Sequence, residues 1–387
     1  MRILYLMTEP FGIGGVQSDV LTLTEDLTAK GHIVYVATTE GVLLQELIGK
    51  GAIHVDIDFH FSGAAQFARA LKQLRQVVAH EGIELVAPQS VRSSMVAYAA
   101  LRVMPFGYRV AATSMRVPIV TTIHNIHNPK NFKWAGRILR QSADFIIFES
   151  NYERNRLLAH GLPAAQSTVI HSGIDLDRFS TATHTAEFAR QYGLEPGRHL
   201  VFGIVARLSE EKGHNYLVDA FAKVAQAKPE TRLLIVGDGP LLEQTQAQVA
   251  RLGLQQQVIF AGMQRDIPSH LGLFDVFVLS STRESFPLSA REAMAAGRCV
   301  IAPRIGGCGE VVEDGVTGLL FTAADVDDLA AKMLTLSDRA TVAAMGAAGR
   351  QRAERLFSRH VWVDGDEQVY LDWAGLGSRA APSVALS

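Results

Sequence analysis

The sequence has few cysteines, no long apolar run and almost no net charge. Among its 387 residues, Cys299 and Cys308 are too few for a disulfide framework, which predicts a reducing compartment. No apolar run approaches the roughly 18 residues of a membrane-spanning helix. The N-terminus enters a strand pattern at once and reaches Glu9, unlike a signal peptide. A formal net charge of −2 gives no indication of nucleic-acid binding. These features together predict a cytoplasmic protein.

Acidic residues are absent from one long stretch, residues 85–143. Its eight basic residues are Arg92, Arg102, Arg109, Arg116, Lys130, Lys133, Arg137 and Arg140. The last four follow helical spacing and are interleaved with Phe132 and Trp134. Such a segment is typical of a surface for anionic lipid or an anionic acceptor, which predicts peripheral attachment to the inner face of a membrane. The alternative is an ordinary cationic patch balanced by acidic neighbours in space.

Apolar runs alternate with helical patterns along most of the chain, in two series. Strands are predicted over residues 3–7, 33–37, 54–57, 84–87, 119–123, 145–148 and 168–171, and then over 200–205, 232–236, 258–261, 276–279, 299–302 and 318–321. The length and this alternation predict an α/β protein with two Rossmann-like, doubly wound parallel-sheet domains, over residues 1–175 and 185–357. Residues 172–186 are predicted to form a linker, and residues 375–387 a disordered tail. Ligands are expected in a cleft at the carboxyl ends of the strands.

Two glutamates, Glu284 and Glu292, bracket the predicted start of a helix near Pro287. Eight helical residues would separate them by about 12 Å. That is too far for the paired carboxylates of a glycoside hydrolase, which lie about 5 to 9.5 Å apart. The spacing fits a sugar nucleotide lying along the helix start, with its phosphates over the free N–H groups. The alternative is two solvated glutamates.

A glycine pair, Gly14-Gly15, precedes a helix predicted over residues 18–30. A dinucleotide fingerprint requires a third glycine where Gln17 stands and an acidic residue closing the second strand, a role that Glu40 fits poorly. The interpretation that we favour is close approach of this backbone to a ligand phosphate or sugar.

His124 follows a buried strand pattern within a polar cluster that also contains His127. It is a candidate for hydrogen bonding to a sugar hydroxyl near the reacting carbon, and the alternative is a histidine satisfied by backbone groups. A metal pair of the two histidines is disfavoured, because no further ligand follows at suitable spacing.

Arg207 closes another predicted strand, and Lys212 lies one turn further on, so both can reach one diphosphate. Met263 follows a strand end where a nucleobase can lie. Gly237 and Gly239, and the later pair Gly306-Gly307, mark further turns.

Taken together, these motifs resemble the family-4 group of retaining glycosyltransferases, which have the GT-B fold. The resemblance covers about residues 1–370 and rests on Gly14-Gly15-Val16, His124, Gly173 with Asp175, Ala206-Arg207, Lys212-Gly213, Gly237 to Pro240, the Glu284 and Glu292 pair, and Gly306-Gly307 with Glu310. It departs from the pattern at Ser285 and Pro287, where glycines are usual, and at Gln17, where glutamate is common.

The resemblance implies roles for the matching positions. Arg207 and Lys212 hold the donor diphosphate with the Leu288 and Ser289 amides, Glu292 binds the ribose, and Phe286 belongs to the donor site. Glu284 faces the donor sugar, His124 the reacting centre, and Gly15, beside Gly14, the phosphates. The first domain binds the acceptor, and a C-terminal helix over about residues 358–373 crosses back onto it.

The expected reaction transfers a sugar from a nucleotide donor, with UDP favoured by the resemblance, to a glycan or lipid-linked acceptor in polysaccharide or glycolipid synthesis. No carboxylate is placed as a nucleophile and no Asp-x-Asp pair ends a strand. Front-face attack without metal or other cofactor is therefore expected. A sugar-nucleotide epimerase, a phosphorylase and a non-catalytic sensor are the alternatives. An epimerase needs an acid/base pair around the sugar and a phosphorylase a pyridoxal-bearing lysine, and the sequence shows neither.

Overall fold

A computed structural model describes residues 1–59, 63–103, 116–126, 132–180 and 186–377. The chain divides into two compact units, one formed by Met1–Ser172 with His360–Ser387 and the other by Gly173–Arg359. None of the helices in the described ranges combines the length and apolar character needed to cross a membrane.

The first unit contains two parallel sheets, ordered β3-β2-β1-β4 and β5-β6-β7. Their strands are β1 (Arg2–Leu6), β2 (Ile33–Thr38), β3 (Ile53–Asp56), β4 (Leu85–Pro88), β5 (Val120–Ile123), β6 (Phe145–Phe148) and β7 (Ser167–Val169). A parallel bridge between Val86 and Ile119 joins the two sheets, so β5 continues the order beyond β4.

Helices separate these strands, as the alternating pattern predicts. They are α1 (Gly15–Ala29), α2 (Leu44–Gly49), α3 (Ala64–His80), α4 (Val91–Tyr98), α5 (Phe132–Ser142) and α6 (Asn151–Leu158), with a π-helical turn at Ala99–Val103 and a 3₁₀ turn at Ala164–Gln166. Ser90 starts α4 with a reciprocal capping box, in which its hydroxyl accepts from the Ser93 amide.

The second unit contains one parallel sheet, ordered β10-β9-β8-β11-β12-β13. Its strands are β8 (Leu200–Val205), β9 (Thr231–Val236), β10 (Val258–Gly262), β11 (Val276–Val278), β12 (Cys299–Pro303) and β13 (Gly318–Phe321). Its helices are α7 (Leu176–Ser180), α8 (Ala186–Gln191), α9 (His214–Ala227), α10 (Leu242–Arg251), α11 (Ile267–Gly272), α12 (Leu288–Ala295), α13 (Cys308–Val311), α14 (Val326–Thr335) and α15 (Arg339–Leu356), with a 3₁₀ turn at Glu210–Lys212. The strands are apolar on both faces because helices cover both sides of the sheet.

The last helix, α16 (Arg359–Ala374), belongs to the first unit. Trp362, Val363 and Tyr370 are buried in the same apolar cluster as Ile3 and Tyr5 of β1. Residues 378–387 of the predicted tail lie outside the described residues.

All thirteen predicted strands are observed, with ends that differ by at most two residues. The predicted helix start at residue 18 is wrong, because α1 begins at Gly15, directly after an extended Gly14. The predicted linker over residues 172–186 contains the boundary between the two units, which falls after Ser172, but its first half is packed within the second unit. Ile174 exchanges backbone hydrogen bonds with Phe357 and Arg359 at 2.8 and 3.0 Å, and α7 buries Phe179. A few well-packed apolar side chains outweigh the polar composition of this segment.

Candidate functional site

The second unit carries its candidate donor-binding residues at one edge of the sheet. Its strand order reverses between β8 and β11, and ligands of doubly wound sheets bind beyond the carboxyl ends of the strands at such a switch point. Arg207 and Lys212 follow β8, and Glu284 follows β11. The fold thus brings Lys212 and Glu284, 72 residues apart in sequence, to the same point of the sheet.

Lys212 and Glu284 form an ion pair there. Nζ of Lys212 lies 2.7 Å from Oε1 of Glu284, and the Ser281 hydroxyl donates to the same oxygen at 2.7 Å. The Glu284 side chain is only 10% exposed, so these charge-assisted bonds hold it in one orientation. The sequence predicts that Lys212 binds a diphosphate together with Arg207. In the structure the Lys212 ammonium contacts Glu284, and the Arg207 side chain is exposed.

Two glycines fix the backbone around Glu284. Gly306 has φ of +54°, and a Cβ on it would lie 1.8 Å from the Glu284 carbonyl oxygen. The Gly307 N–H donates to the Ser285 carbonyl at 2.7 Å. Gly306 therefore permits a close backbone approach that no other residue allows, and the Gly307 hydrogen bond helps to position the Glu284 loop.

Between the two glutamates lies the start of α12. Pro287 occupies its N-cap, one residue before the predicted first turn, and no side chain caps the helix. Because proline has no N–H, the first amides of the helix are those of Leu288 and Ser289. The Leu288 side chain is 43% exposed, so this helix start is open to solvent and suited to an anion.

Phe286 and Met263 have opposite environments. The Phe286 ring is buried, packing edge-on against Phe357 at 5.7 Å between centroids, with the Arg291 guanidinium 4.3 Å above it. Its side chain is thus a core element. Met263 follows β10 with 78% of its surface exposed, which leaves it accessible to a planar ligand.

Glu292 lies in the second turn of α12 and is partly buried. Burial raises the pKa of its carboxyl to about 7, although the charges of Arg178 and Arg291 act to lower it. Near neutral pH this carboxyl therefore titrates, and a ligand hydroxyl that donates to it favours the ionised form.

In the first unit, Gly14 and Gly15 form the N-terminus of α1. The Gly14 backbone is extended, with φ of 179°, and a Cβ at this position would meet the Gln17 side chain. Around Gly15 the position of a Cβ is open, with nothing within 4 Å among the described residues. The start of this 15-residue helix thus has open space beside Gly15, where an anionic group is favoured.

His124 lies directly after β5 and is 8% exposed. Its Nδ1 is 2.6 Å from Glu149 Oε1 and 3.3 Å from Asp19 Oδ2, and its Nε2 is 3.1 Å from Gln89 Oε1. Both nitrogens thus contact side chains, which contradicts a histidine satisfied by backbone groups. Burial lowers the pKa of His124, but the Glu149 and Asp19 carboxylates outweigh it and raise the pKa to about 10. At neutral pH this residue is an imidazolium and a hydrogen-bond donor.

Asp19, His124 and Glu149 are also a candidate cation site, since their ligand atoms lie within 4.8 Å of one another. An imidazolium must lose its proton before it can bind a metal. Because the two carboxylates stabilise that proton, we interpret the cluster as an ion pair. His127, the second histidine of the motif, lies outside the described residues.

The basic stretch divides into two parts. Arg102 and Arg116 pair with Asp144, at 3.1 and 2.7 Å, as the alternative of a balanced patch predicts. The second part is α5. Its three cations, Lys133, Arg137 and Arg140, are all exposed.

On α5 the two aromatic residues separate. Trp134 is 63% exposed, with the Arg137 guanidinium 5.7 Å from its ring centre. Phe132 is fully buried, so its predicted role at a membrane interface is wrong. Lys130 and Arg109 lie outside the described residues.

The sequence did not point to Asp19, Gln89, Glu149 or Arg178. Gln89 and Glu149 each follow the end of a predicted strand, and the ends of neighbouring parallel strands meet at one edge. That rule places them beside His124. Asp19 lies on α1 and is far from these strands in sequence, and Arg178 could be placed only by recognising α7.

Two family models match the chain. One, described as glycosyl transferases group 1, matches residues 186–352, and the other, glycosyltransferase family 4, matches residues 13–178. Of the curated relatives, the 2-deoxystreptamine glucosyltransferase of Streptomyces kanamyceticus is 31% identical over 67% of this chain and 69% of its own length.

Two further relatives are matched over a smaller part of their length. The GDP-mannose-dependent alpha-(1-6)-phosphatidylinositol monomannoside mannosyltransferase of Mycolicibacterium smegmatis is 34% identical over 56% of this chain. The sulfoquinovosyl transferase SQD2 of Arabidopsis thaliana is 32% identical over 65% of it. The matches span 59% and 52% of those proteins.

Solved structures show the same fold. That of Anabaena HepE in complex with UDP has a TM-score of 0.81 at 23% identity, covering 96% of this chain and 100% of HepE. A glycosyltransferase from Rickettsia africae has a TM-score of 0.80 at 21% identity, covering 96% and 98%. These likenesses confirm the predicted GT-B fold class, and the matches to the family models and to the Streptomyces relative show that the chain belongs to the family-4, group 1 glycosyltransferases.

Proposed function

We propose that the chain transfers a sugar from a nucleotide-sugar donor to a hydroxyl of a glycan or lipid-linked acceptor, with retention of the anomeric configuration and without a metal. The observation that carries the proposal is the pairing of Lys212 with Glu284 at the switch point of the second sheet, beside Arg207 and the open start of α12. Cations, amides and an oriented carboxylate lie there together, which suits a ligand with phosphates at one end and sugar hydroxyls at the other.

In the proposed step the acceptor oxygen forms a bond to the anomeric carbon on the face from which the diphosphate departs. The bond between that carbon and the phosphate oxygen breaks, and its electron pair stays on the phosphate. The departing oxygen takes the acceptor's proton, so the products are a glycoside and a nucleoside diphosphate. Arg207, Lys212 and the α12 amides stabilise the charge that develops on the phosphate. Glu284 accepts from a donor-sugar hydroxyl, and the His124 imidazolium donates its Nε2–H to a sugar oxygen in exchange for Gln89 Oε1.

The identity of the donor nucleotide is proposed from one solved structure and one relative. HepE is solved with UDP, whereas one relative is GDP-mannose-dependent by name. Glu292 suits a ribose, which both nucleotides share, and therefore does not discriminate between them. UDP-sugars are our first candidates and GDP-mannose the second.

The acceptor is proposed to be lipid-linked or presented at an anionic membrane surface. The mannosyltransferase relative of Mycolicibacterium smegmatis carries a lipid name, phosphatidylinositol monomannoside. The exposed cations of α5, with Trp134 between them, offer a face for anionic headgroups. Peripheral attachment of the protein follows from this face.

The test is release of nucleoside diphosphate from a panel of UDP- and GDP-sugars, with and without a lipid-linked or glycan acceptor. For the donor that responds, Arg207→Ala and Lys212→Ala should each lower the rate by about 10²- to 10³-fold, the usual cost of one electrostatic donor. Arg251→Ala, at the exposed end of α10 in the same unit, is the matched control and should retain the rate. Near wild-type rates in both site variants would contradict the donor site.

The same assay separates the alternatives. A transferase needs acceptor for full turnover and forms a new glycoside. An epimerase converts the donor without releasing nucleotide, and a sensor binds it without change.

A further inference from the structure

A buried carboxyl on α16, Asp366, has no role in the site described above. It is fully buried, and neither of its oxygens has a hydrogen-bond partner of ordinary geometry among the described residues. The hydroxyls of Tyr5, Thr122 and Tyr370 are likewise enclosed, and that of Tyr370 lies close enough to the other two to interact with them. The Tyr5 and Tyr370 rings meet edge-on at 6.4 Å between centroids. β1, β5 and α16 thus bring buried polar groups together within the apolar core.

The charged groups around these buried polar groups are those of the His124 cluster. The charges that act on Asp366 are Glu149 after β6, His124 after β5 and Asp19 on α1, and the Trp362 indole lies on its own helix. Burial raises the pKa of Asp366 well above its ordinary range, and Glu149 raises it further, opposed by His124. Asp366 therefore lies next to the functional cluster without being part of its hydrogen bonds.

The protonation state of Asp366 depends on the charges of the neighbouring His124 cluster. His124 already faces two carboxylates, Asp19 and Glu149. With the imidazole protonated and both carboxylates ionised, the cluster carries one net negative charge. A third carboxylate would add a second negative charge with no cation beside it. An unpaired charge in an apolar surrounding is strongly unfavourable, and such a group takes up a proton instead.

We propose that Asp366 is a positioning residue of the His124 site, retained as an uncharged carboxylic acid. In this state it leaves His124 shared between Asp19 and Glu149 alone. The carboxyl lies close enough to the Tyr5 and Tyr370 hydroxyls to interact with them electrostatically. Ionisation of Asp366 would add a negative charge behind the imidazolium and weaken the attraction of this site for an anionic donor. Only the last consequence rests on the proposed function.

The first test does not depend on any activity. Asp366→Asn replaces a neutral acid by a neutral amide of the same shape. A folded-state pKa above the unfolded one gives stability that is present at low pH and lost as pH rises. The ratio of the unfolding constants of wild type and Asp366→Asn should therefore change about tenfold per pH unit above pH 5, with wild type losing stability relative to the variant. Asp372→Asn, exposed on the same helix, is the control and should show no such slope.

The second test is an NMR titration of the His124 ring. If Asp366 is neutral, Asp366→Asn removes no charge, and His124 should titrate within a few tenths of a pH unit of wild type. A fall of one unit or more would show that Asp366 is ionised and would overturn the proposal, as would a ratio of unfolding constants that does not vary with pH. Both readouts remain valid if the chain is not a transferase. Should it be one, Asp366→Asn should retain kcat near neutral pH and lose the alkaline fall in kcat/KM, whereas Asp366→Leu should lower kcat at every pH.

Discussion

Glu292→Gln should remove one pH-dependent part of the protein's stability. The Glu292 carboxyl sits in the second turn of α12, where burial raises its pKa from 4.5 to about 7. Glutamine has nearly the same shape and cannot ionise. The substitution therefore removes the titration and leaves the packing of α12 in place.

The magnitude follows from the difference between the two pKa values. A rise of about 2.5 units corresponds to about 3 kcal/mol, at 1.36 kcal/mol per unit. Because the folded-state pKa is the higher one, this contribution is fully present below pH 4.5 and is lost as pH rises through 7. Relative to Glu292→Gln, wild type should thus lose about 3 kcal/mol of unfolding free energy between pH 4 and pH 8.

Urea denaturation at half-unit pH steps measures this difference. Glu243→Gln, on the exposed face of α10, controls for the change in net charge. We expect the wild-type and Glu292→Gln curves to converge below pH 5 and to separate above it, with the variant more stable. Parallel curves over the whole range would refute the reasoning, because they would mean that Glu292 has the same proton affinity in the folded and unfolded chain.

Two further outcomes are expected. Transfer activity in excess EDTA should equal activity with added Mg²⁺ when a soluble acceptor is used, because cations and amides of the chain supply the positive charge at the diphosphate. A loss of activity that Mg²⁺ or Mn²⁺ restores would instead favour a metal at the Asp19, His124 and Glu149 cluster. The protein should sediment with anionic liposomes at low salt and be released at high salt, since each basic residue contributes about 1 kcal/mol near such a surface. Replacing Lys133, Arg137 and Arg140 together by Gln should abolish sedimentation and leave nucleotide binding intact, whereas replacing Arg102 and Arg116, which already pair with Asp144, should leave the liposome binding largely unchanged.

The strands were predictable because their signal is local. β8 and β12 are buried on both faces, so each appears in the sequence as an uninterrupted apolar run between polar turns. Alternation with helices then fixes parallel pairing, and the rule for doubly wound sheets places Arg207 and Glu284 at one edge. The donor half of the candidate site follows from this reasoning without knowledge of any contact.

The partners of these residues were not predictable in the same way. The bond between Lys212 and Glu284 depends on which of two neighbouring cations reaches the carboxylate, and that depends on the 3₁₀ turn at Glu210–Lys212. α7 was missed because its five residues show too little periodicity, although Ile174 and Phe179 anchor the segment. Phe132 and Trp134 are two positions apart on one helix, and only the observed packing separates the buried ring from the exposed one.

Glu292 and Asp366 show how one physical effect leads to two different roles. Burial disfavours the ionised form of both carboxyls and lowers stability as pH rises, so neither is explained by stability alone. Glu292 remains partly exposed beside two arginines, and a ligand that donates hydrogen bonds to it favours the carboxylate near neutral pH. Asp366 is fully enclosed beside two carboxylates, and no ligand can reach it to favour ionisation. The first carboxyl is therefore suited to binding a ligand, and the second to holding a proton behind the residues that do so.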